Sequence, residues 1–267
     1  MNVVVCMKQV PDTETKIRLK EGKSGIQTDG VKWIINPYCE FAVEEGLRMR
    51  EKNGGQGTVT IVCIGPDRAV ESIRTALAMG ADKAIHLQDP LFEGSDSWGV
   101  AKILAKAIQT IPHDIILCGK QAIDDDAAQV PQILAELLNV PHVMVVDKIE
   151  VDFANKKVTA SRRVEGGAKE ILEVPLPAVF GAEKGLNEPR YASLPGIMKA
   201  KTKEVKKLSA ADLGLKAEEV GLAAAKVQIR SYSLPPERQA GKKVDGADPV
   251  QAAQELAQWL REEAKVI

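Results

Sequence analysis

Short apolar runs alternate with helical patterns in the first half of the chain, and this alternation restricts the fold more than any other feature. The segments follow one another as strand 2–8, helix 39–53, strand 57–63, helix 67–79, strand 83–88, helix 97–110, strand 114–118 and a helix from about residue 128. Runs such as 58–64 are almost continuously apolar, which is typical of strands covered by helices on both faces. The alternation therefore predicts an α/β fold with a doubly wound, mostly parallel sheet.

The second half of the chain has a different character. Strand-like runs over 143–146, 148–151, 157–161 and 170–174 are separated by turn residues and predict a β-hairpin extension. Beyond 177–180 the pattern is lost until an amphipathic helix that begins at Asp248 and Pro249 and continues to Arg261. We expect an α/β domain over 1–185, hairpin strands included, and over 186–267 a long C-terminal arm that packs on a partner.

Composition excludes several classes of protein. With 267 residues, 45% hydrophobic content and a net charge of −1, the chain can bury a large core and has no excess of basic residues for nucleic acid. No apolar run approaches the roughly 20 residues of a membrane span, and the first residues do not form a basic leader. We expect a cytoplasmic protein without nucleic-acid binding or membrane insertion.

Cysteine and histidine spacing gives little support for metal or nucleophilic chemistry. The four cysteines lie far apart in sequence, three of them in strand-like runs, and the three histidines do not form an HExxH pattern. Buried thiols and structural histidines are the simpler interpretation. The sequence predicts no metal site and no catalytic residue.

A polar turn over residues 119–130 lies between an apolar strand and a helix, and it is the main candidate site. Main-chain N–H groups left unpaired at a helix start, together with the helix dipole, can hold an anion such as a phosphate. Because ligands of such sheets bind at the carboxyl ends of strands, the strand ends after Cys6, Ile64 and Cys118 should converge there. An ordinary acidic surface turn is the alternative. The candidate residues of the turn are Gly119, Lys120, Gln121, Ala122, Ile123, Asp124, Asp125, Asp126, Ala127, Ala128, Gln129 and Val130.

The three aspartates of the 119–130 turn would repel a phosphate that they touched. We expect Asp124 and Asp126 to accept hydrogen bonds from N–H groups of the turn, with Asp126 and Gln129 spaced as a capping box. Lys120 would offset their charge, and a carboxylate bound to a ribose hydroxyl is the alternative role. Pro131 has no N–H group, although a helix capped at Asp126 would already need one at this position. It therefore favours a helix that begins a residue or two later than a cap at Asp126 would give.

Several segments in a shared order identify a family resemblance. They are VCMKQV at 5–10, NPYCE at 36–40, AVEE at 42–45, RTALAMGAD at 74–82, GKQAIDDD at 119–126 and LNEPRYASLPGIMKAK at 186–201. Over nearly the whole chain they resemble the beta (small) subunit of electron-transfer flavoprotein. The resemblance implies an adenine-nucleotide-binding type of α/β fold and a heterodimer with an alpha subunit.

The resemblance also implies a function. The heterodimer would accept electrons from flavin dehydrogenases, such as acyl-CoA dehydrogenases, and pass them to a quinone oxidoreductase through FAD held mainly by the alpha subunit. The beta subunit would be an electron-carrier subunit rather than an enzyme, and it would bind a structural AMP. The implied cofactor-binding residues are Cys6, Asn36, Pro37, Tyr38, Cys39, Ile64 and the turn from Gly119 to Val130, with Tyr38 against the flavin ring.

An electron-bifurcating branch of the family carries a second FAD in place of AMP. In this chain Asp125 and Ala127 stand where that branch typically has Gly and Thr, which favours AMP. The segments 128–130 and 11–13 instead resemble the bifurcating branch, whereas 193–201 resembles the ordinary type. We expect AMP, with a second FAD as the alternative. A free-standing adenine-nucleotide-binding protein is less favoured, because an ATP-handling Gly-rich loop is missing from the sequence.

Residues 186–201, here called the docking segment, carry an apolar group beside alternating lysines. An apolar anchor within a polar rim is typical of a protein interface, and the basic surround would attract an acidic partner. The resemblance implies that Leu194 inserts into a pocket of the client dehydrogenase from a loop. The alternative is that Leu194 and Ile197 pin the arm to the chain's own core. The predicted docking residues are Leu194, Pro195, Ile197 and Met198.

Overall fold

A computed structural model describes residues 1–238 and 240–267 of the chain. These residues form two compact units, of which the larger comprises Met1–Arg18 and Gln27–Arg230 and the smaller Leu19–Ile26 and Ser231–Ile267. In the second half of the chain, the boundary between the two compact units therefore follows Arg230. The division predicted after residue 185 concerns contact with a partner and stays a prediction.

The larger unit contains eleven strands among its described residues. They are β1 Asn2–Met7, β2 Gln9–Pro11, β3 Trp33–Ile35, β4 Thr58–Ile64, β5 Lys83–Leu87, β6 Ile115–Gly119, β7 His142–Asp152, β8 Lys157–Arg163, β9 Lys169–Pro175, β10 Ala178–Ala182 and β11 Val205–Leu208. Its helices are α1 Pro37–Lys52, α2 Ala69–Met79, α3 Ser97–Ile108, α4 Val130–Leu138, α5 Leu194–Ala200 and α6 Gly221–Ala224. The predicted alternation of strands and helices is confirmed from β1 to α4.

Nine of these strands form one sheet in the order β11-β5-β4-β1-β6-β10-β7-β8-β9, and β2 pairs with β3 as a separate antiparallel ribbon. Pairing is parallel from β11 to β7, and antiparallel between β7, β8 and β9. From β1 the chain adds β4 and β5 on one side and then returns to β6 on the other. This reversal is the doubly wound topology that the sequence predicted, with the hairpin strands as an extension.

Both faces of the sheet are covered, and β1 shows this directly. Val3 and Val5 belong to the buried cluster that contains helices α1 and α2, whereas Val4 belongs to the cluster that contains α3 and α4. Alternate side chains of a strand point to opposite faces, so both sets must be apolar. Full burial of a side chain such as Leu47 or Ile103 contributes about 2 kcal/mol to folding.

Strand β7 differs from the sequence prediction, because the runs 143–146 and 148–151 form one strand. The apolar pattern is interrupted by Asp147, which lies within the strand, buried and paired with charged neighbours. The ladder of β7 is irregular near the same place, and Val145 has a φ of 62°. A local bulge therefore bends a continuous strand.

Two strands have positions that local patterns did not indicate. The run 177–180 becomes β10, which enters the centre of the sheet between β6 and β7. The lysine-rich segment contains β11, which pairs with β5 at the edge of the sheet. Charged side chains such as Lys206 and Lys207 suit an edge strand, but they hide the alternation that predicts one.

The smaller unit contains the predicted C-terminal helix, α7 Pro249–Gln258. The Asp248 carboxylate accepts hydrogen bonds from the N–H groups of Val250 and Gln251, at 2.9 and 3.2 Å, which confirms the predicted start. The helix continues as a π-helical turn over Trp259–Glu263, and none of its ten described residues before that turn is buried. Within the parts of the chain that the structure covers, every helix is too short or too polar to cross a bilayer.

Candidate nucleotide-binding site

The carboxyl ends of β1, β4 and β6 lie side by side at the point where the strand order reverses. Cys6 of β1 is in register with Cys118 of β6, and Met7 is in register with Cys63 of β4. The predicted strand-end residues Cys6, Ile64 and Gly119 are therefore brought to the same edge of the sheet. Open parallel sheets bind their ligands at this position.

The start of α4 presents unpaired donors at this edge. In the described part of the chain, the main-chain N–H groups of Ala128, Gln129, Val130 and Gln132 have no protein acceptor. Pro131, the second residue of α4, has no N–H. Four donors at the positive end of a nine-residue helix make this edge suitable for an anion.

The backbone just before α4 is strained. Asp126 and Ala128 have φ values of 47° and 50°, in the left-handed region that side-chain-bearing residues rarely adopt. Each such residue costs about 1–2 kcal/mol. Strain of this kind persists only where the surrounding structure fixes the backbone, and it is concentrated at functional sites.

Asn36 fixes the 119–130 turn from the other side of the site. Its buried amide donates to the carbonyl of Gln121 at 2.9 Å and accepts from the N–H of Ile123 at 3.1 Å. The same amide donates to Cys39 Sγ at 3.2 Å, and burial raises the pKa of that thiol. Asn36 and Cys39, both predicted from the resemblance, therefore lie against the turn. All four cysteines are buried, as predicted.

Gly119 allows the turn and helix α1 to approach closely. A Cβ atom added at Gly119 would lie 2.8 Å from the Cβ of Tyr38 and 3.0 Å from the nitrogen of Cys39. Such distances are shorter than a non-bonded carbon contact permits, so the position requires glycine. Tyr38 and the preceding Pro37 form the first turn of α1, directly beside the site.

Lys120 does not offset the charge of the aspartates, so this prediction is wrong. Its Nζ pairs with Glu183 at 2.6 Å and lies 5.1 Å from the centre of the Tyr38 ring, a cation–π distance. The reason is the sheet order, because β6 and β10 are neighbours and Lys120 and Glu183 directly follow them.

Lys8, which the sequence prediction missed, pairs with two of the aspartates instead. Its Nζ lies 2.8 Å from Asp124 Oδ1 and 2.9 Å from Asp125 Oδ2. Burial alone would lower the pKa of Lys8, but the hydrogen bonds with Asp124 and Asp125 outweigh burial and raise it. The available signal was its place as the last residue of a predicted strand, 2–8, that ends at the site.

The predicted capping box is also wrong. Helix α4 begins at Val130, and the side chain of the preceding Gln129 makes no capping hydrogen bond to the described residues. Asp126 lies outside the helix in a left-handed conformation and accepts from the Gln121 amide at 2.7 Å. Asp125, rather than Asp124, accepts from an N–H of the turn, that of Ala127 at 3.1 Å. The late helix start expected from Pro131 is confirmed.

The residues at this edge fit a nucleoside phosphate. The unpaired N–H groups of the α4 start suit a phosphoryl group, and the apolar strand ends at Cys6 and Ile64 suit a purine or sugar face. Gln132 adds an acceptor, because its Oε1 is buried and has no partner within residues 1–238 and 240–267, while its Nε2 donates to the Ala128 carbonyl at 2.9 Å. Among the same residues no three His, Cys, Asp or Glu side chains are grouped to hold a metal ion.

The apolar side chains of the docking segment are exposed. Leu194 is 80% exposed and Met198 64%, and Ile197 is partly exposed on the same short helix. Leu194 was expected on a loop but is the first residue of α5, where the Ser193 hydroxyl accepts from the Gly196 N–H at 3.1 Å. An exposure of this size does not fit the alternative in which Leu194 pins the arm to the chain's own core.

The start of the docking segment is anchored by charge. Arg190 Nε lies 2.7 Å from Glu44 Oε2, and its Nη1 lies 2.6 Å from Glu51 Oε1, both on α1. Asn187 donates to the Phe41 carbonyl and to Glu45, each at 2.9 Å. The exposed apolar group is therefore carried by a segment that is firmly held at its beginning.

The lysines near the docking segment do not all belong to its surface. Lys203 donates to the carbonyls of Leu77 and Ala81, at 3.0 and 2.5 Å, and burial lowers its pKa. Lys207 pairs with Asp67 at 3.2 Å. The basic surround predicted from sequence therefore consists mainly of the exposed Lys199, Lys201 and Lys206.

The fold is that of a doubly wound α/β protein whose sheet edge is suited to an anion, and comparison with known proteins gives the family. A family model described as "Electron transfer flavoprotein domain" matches residues 24–213. The chain is 44% identical to the electron transfer flavoprotein subunit beta of Bacillus subtilis (strain 168) over 269 aligned residues, which cover 100% of both chains. It is 42% identical to the mouse (Mus musculus) subunit beta, with 94% of this chain and 96% of the relative covered.

A plant relative named "Electron transfer flavoprotein subunit beta, mitochondrial", from Arabidopsis thaliana, is 40% identical over 100% of both chains. Bacterial, animal and plant relatives of this name thus align with nearly the whole sequence. The chain belongs to the electron-transfer flavoprotein beta-subunit family, and the family resemblance read from the sequence is confirmed.

Proposed function

We propose that the chain is the beta half of a heterodimeric electron carrier. With an alpha subunit it accepts electrons from flavin dehydrogenases, such as acyl-CoA dehydrogenases, and passes them to a quinone oxidoreductase. The observation that carries the proposal is the family relationship over the full length of the chain. When bound, FAD held mainly by the alpha subunit supplies the electron-transfer chemistry, and the residues of this chain supply position and electrostatics.

In this proposal the edge formed by β1, β4 and β6 holds a structural AMP. The N–H groups of Ala128, Gln129 and Val130 bind its phosphoryl group, and the Gln132 Oε1 accepts from a hydroxyl or amino group of the nucleoside. Asn36 keeps the 119–130 turn in the required shape. A ligand that binds only the folded state stabilises that state without any chemistry, which agrees with a site made mainly of main-chain donors.

A second FAD in place of AMP is the alternative ligand. The segment 128–130 resembles the electron-bifurcating branch and lies at the start of α4, where a pyrophosphate would also bind. Asp125 and Ala127 stand at positions where that branch typically has Gly and Thr, and they favour AMP. In the bifurcating case the heterodimer would be an NADH-linked oxidoreductase.

We assign three surfaces of the chain to partners. Tyr38, on the first turn of α1, lies against the flavin ring of the FAD held by the alpha subunit. Leu194, Pro195, Ile197 and Met198 dock into the client dehydrogenase, an assignment that their exposure supports. The C-terminal arm packs on the alpha subunit, and the exposed Val250 and Leu256 of α7 are suited to that contact.

The test is co-purification of the chain with its alpha subunit, followed by chromatographic counting of nucleotides per heterodimer. One AMP and one FAD support the proposal. Two FAD and no AMP select the bifurcating alternative, and ATP or no adenine nucleotide contradicts both. Reduction of the purified heterodimer by an acyl-CoA dehydrogenase with its substrate then tests the proposed client.

A further inference from the structure

Lys8 places a positive charge at the sheet edge formed by β1, β4 and β6, here called the nucleotide edge. Neither the family relationship nor the proposed phosphate contacts require this charge. It follows β1 directly, and its Nζ bridges Asp124 and Asp125 at 2.8 and 2.9 Å. The two carboxylates lie on the 119–130 turn, only a few residues before the unpaired N–H groups of Ala128 and Gln129. One lysine offsets one of these two negative charges, and without it both would be uncompensated, in addition to that of Asp126, which accepts only from the neutral Gln121 amide.

Such charges would oppose the ligand proposed for this edge. A phosphate monoester carries between one and two negative charges near neutral pH. Repulsion between charges separated by several ångströms at a protein surface is large enough to change a binding constant by about tenfold. The side chains of Lys8, Asp124 and Asp125 are 42%, 30% and 52% exposed, so solvent screening keeps the effect near this value and not far above it.

The turn is also held by contacts that do not involve Lys8. Asn36 holds the turn through the Gln121 carbonyl and the Ile123 N–H, and neither bond involves the lysine. Asp125 also keeps its own hydrogen bond from Ala127. Loss of the Lys8 charge should therefore leave the donors in place and change the local potential alone.

We propose that Lys8 is a positioning residue of the nucleotide site that acts by offsetting part of the negative charge of Asp124 and Asp125 and does not itself contact the nucleotide. The inference rests on the proposed function, because it concerns binding of the proposed nucleotide. It assigns a role to the pair of aspartates as well, since their charge is tolerated at a phosphate site only while Lys8 is present.

The test measures AMP binding by isothermal titration calorimetry in the nucleotide-depleted heterodimer. Lys8→Met should weaken AMP binding by about tenfold. The triple variant Lys8→Met, Asp124→Asn, Asp125→Asn should return to within about threefold of the wild type, because the repelling charges are gone. Lys157→Met is the matched control: it removes a lysine from a comparable exposed pair with Glu173, at 2.7 Å on the hairpin, and should leave AMP binding unchanged.

Salt dependence separates neutralisation from a purely structural role. Added salt screens the uncompensated carboxylates, and at about 0.1 M salt the screening length is already only about 10 Å. The difference in AMP affinity between wild type and Lys8→Met should therefore become smaller when the salt concentration is raised from about 50 mM to about 500 mM. A loss of turn structure would give a difference that does not change with salt, and that result would overturn the inference.

Other outcomes are equally decisive. If the triple variant stays as weak as Lys8→Met, the lysine contacts the nucleotide itself and the inference is wrong. If Lys8→Met does not assemble, the double variant Asp124→Asn, Asp125→Asn tests the same idea and should bind AMP at least as tightly as the wild type. A wild-type heterodimer that takes up no AMP would instead overturn the proposed ligand, which distinguishes the two failures.

Discussion

The 119–130 turn and the docking segment follow neighbouring strands of the sheet, yet they present opposite kinds of surface. The turn after β6 presents main-chain N–H groups at the sheet edge formed by β1, β4 and β6. The docking segment, which follows β10, presents exposed apolar side chains such as Leu194. The segments after two adjacent strands thus form an inner region, the 119–130 turn, which is suited to a ligand, and an outer region, the docking segment, which is suited to a partner protein.

The two regions are also held in place by different interactions. The turn is fixed by a neutral buried amide, Asn36, and by the close approach at Gly119. The docking segment is fixed by Arg190, which bridges the buried Glu44 and the more exposed Glu51. The 119–130 turn is thus held mainly by a neutral amide and by close packing, whereas the docking segment is held mainly by ion pairs, so the two should respond differently to substitution and to pH.

We expect the largest effect at Gly119, where the 119–130 turn and helix α1 approach too closely for any side chain. Gly119→Ala puts a Cβ atom 2.8–3.0 Å from atoms of Tyr38 and Cys39, most of them main-chain atoms that cannot rotate away. The free energy of unfolding should fall by about 3 kcal/mol, and the purified heterodimer should lose its AMP. Urea denaturation and nucleotide counting measure both. Gly241→Ala, in open space, is the control, and equal stability of the two variants would contradict the prediction.

A smaller effect is expected at Arg190. Arg190→Met leaves the buried Glu44 with Arg48 alone, at 2.8 Å, so the unfolding free energy should fall by about 2 kcal/mol. Electron transfer from the client dehydrogenase should slow, because the start of the docking segment is released, while AMP content stays unchanged. Lys157→Met serves as the control for loss of an exposed ion pair. Loss of AMP in Arg190→Met would show that the two regions are not independent.

At Leu194 we expect a functional effect without a structural one. Leu194→Ala should lower the rate of electron transfer from the client by about tenfold, because a single apolar anchor can contribute that much to docking. Stability should change by less than about 0.5 kcal/mol, since the side chain is 80% exposed. Stopped-flow reduction by the dehydrogenase and thermal unfolding measure the two quantities. Loss of bound flavin or a large loss of stability would argue for a core role instead.

The smallest effect is a pH dependence that should be confined to the outer region. Burial alone would raise the pKa of Glu44, but its hydrogen bonds with Arg190 and Arg48 outweigh burial and hold the pKa below its ordinary value of 4.5. A carboxyl whose pKa is lower in the folded protein stabilises the fold above pH 4.5, and this contribution is lost as the pH falls through the lower folded value.

The wild type should therefore lose about 1 kcal/mol more than Arg190→Met when the pH falls from about 5 to about 3. Denaturation curves at both pH values give the comparison. Equal losses in the two proteins would mean that Arg190 lowers the pKa of neither Glu44 nor Glu51, to which it also donates hydrogen bonds. Asp147 is no source of difference, because its pKa of about 2, set by Lys169, Arg163 and Ser161 against the opposing effect of burial, is the same in both proteins.

The sequence predicted where the candidate nucleotide-binding site lies, but it predicted the contacts within that site less well. Alternating strands and helices placed the ends of β1, β4 and β6 together, because parallel strands connected in this way have their carboxyl ends at one edge. The pair formed by Lys8 and Asp124 could not be read from local patterns, since it depends on β1 and β6 being neighbours across 116 residues of sequence. The capping box failed because Asp126 lies outside the helix in a left-handed conformation, where its carboxylate accepts from the nearby Gln121 amide.

At the docking segment, too, the sequence did not predict the contacts between residues that are far apart in the chain. Exposure of Leu194 was expected from the resemblance, yet the anchor at Arg190 and Glu44 joins residues 146 positions apart and has no local signature. Strand β11 was missed because lysines occupy an edge strand, where charge is tolerated. Local patterns thus predicted elements and exposed groups, whereas the pairings between distant elements required the assembled sheet.

The central claim is that main-chain N–H groups at the start of α4 hold the phosphoryl group of a nucleotide. Amide hydrogen exchange of the heterodimer, measured at residue resolution with and without AMP, tests it most directly. The account predicts that AMP slows exchange at Ala128, Gln129, Val130 and Gln132 and has no effect on the docking segment. Unchanged exchange at these four amides, with protection elsewhere in the chain, would contradict it.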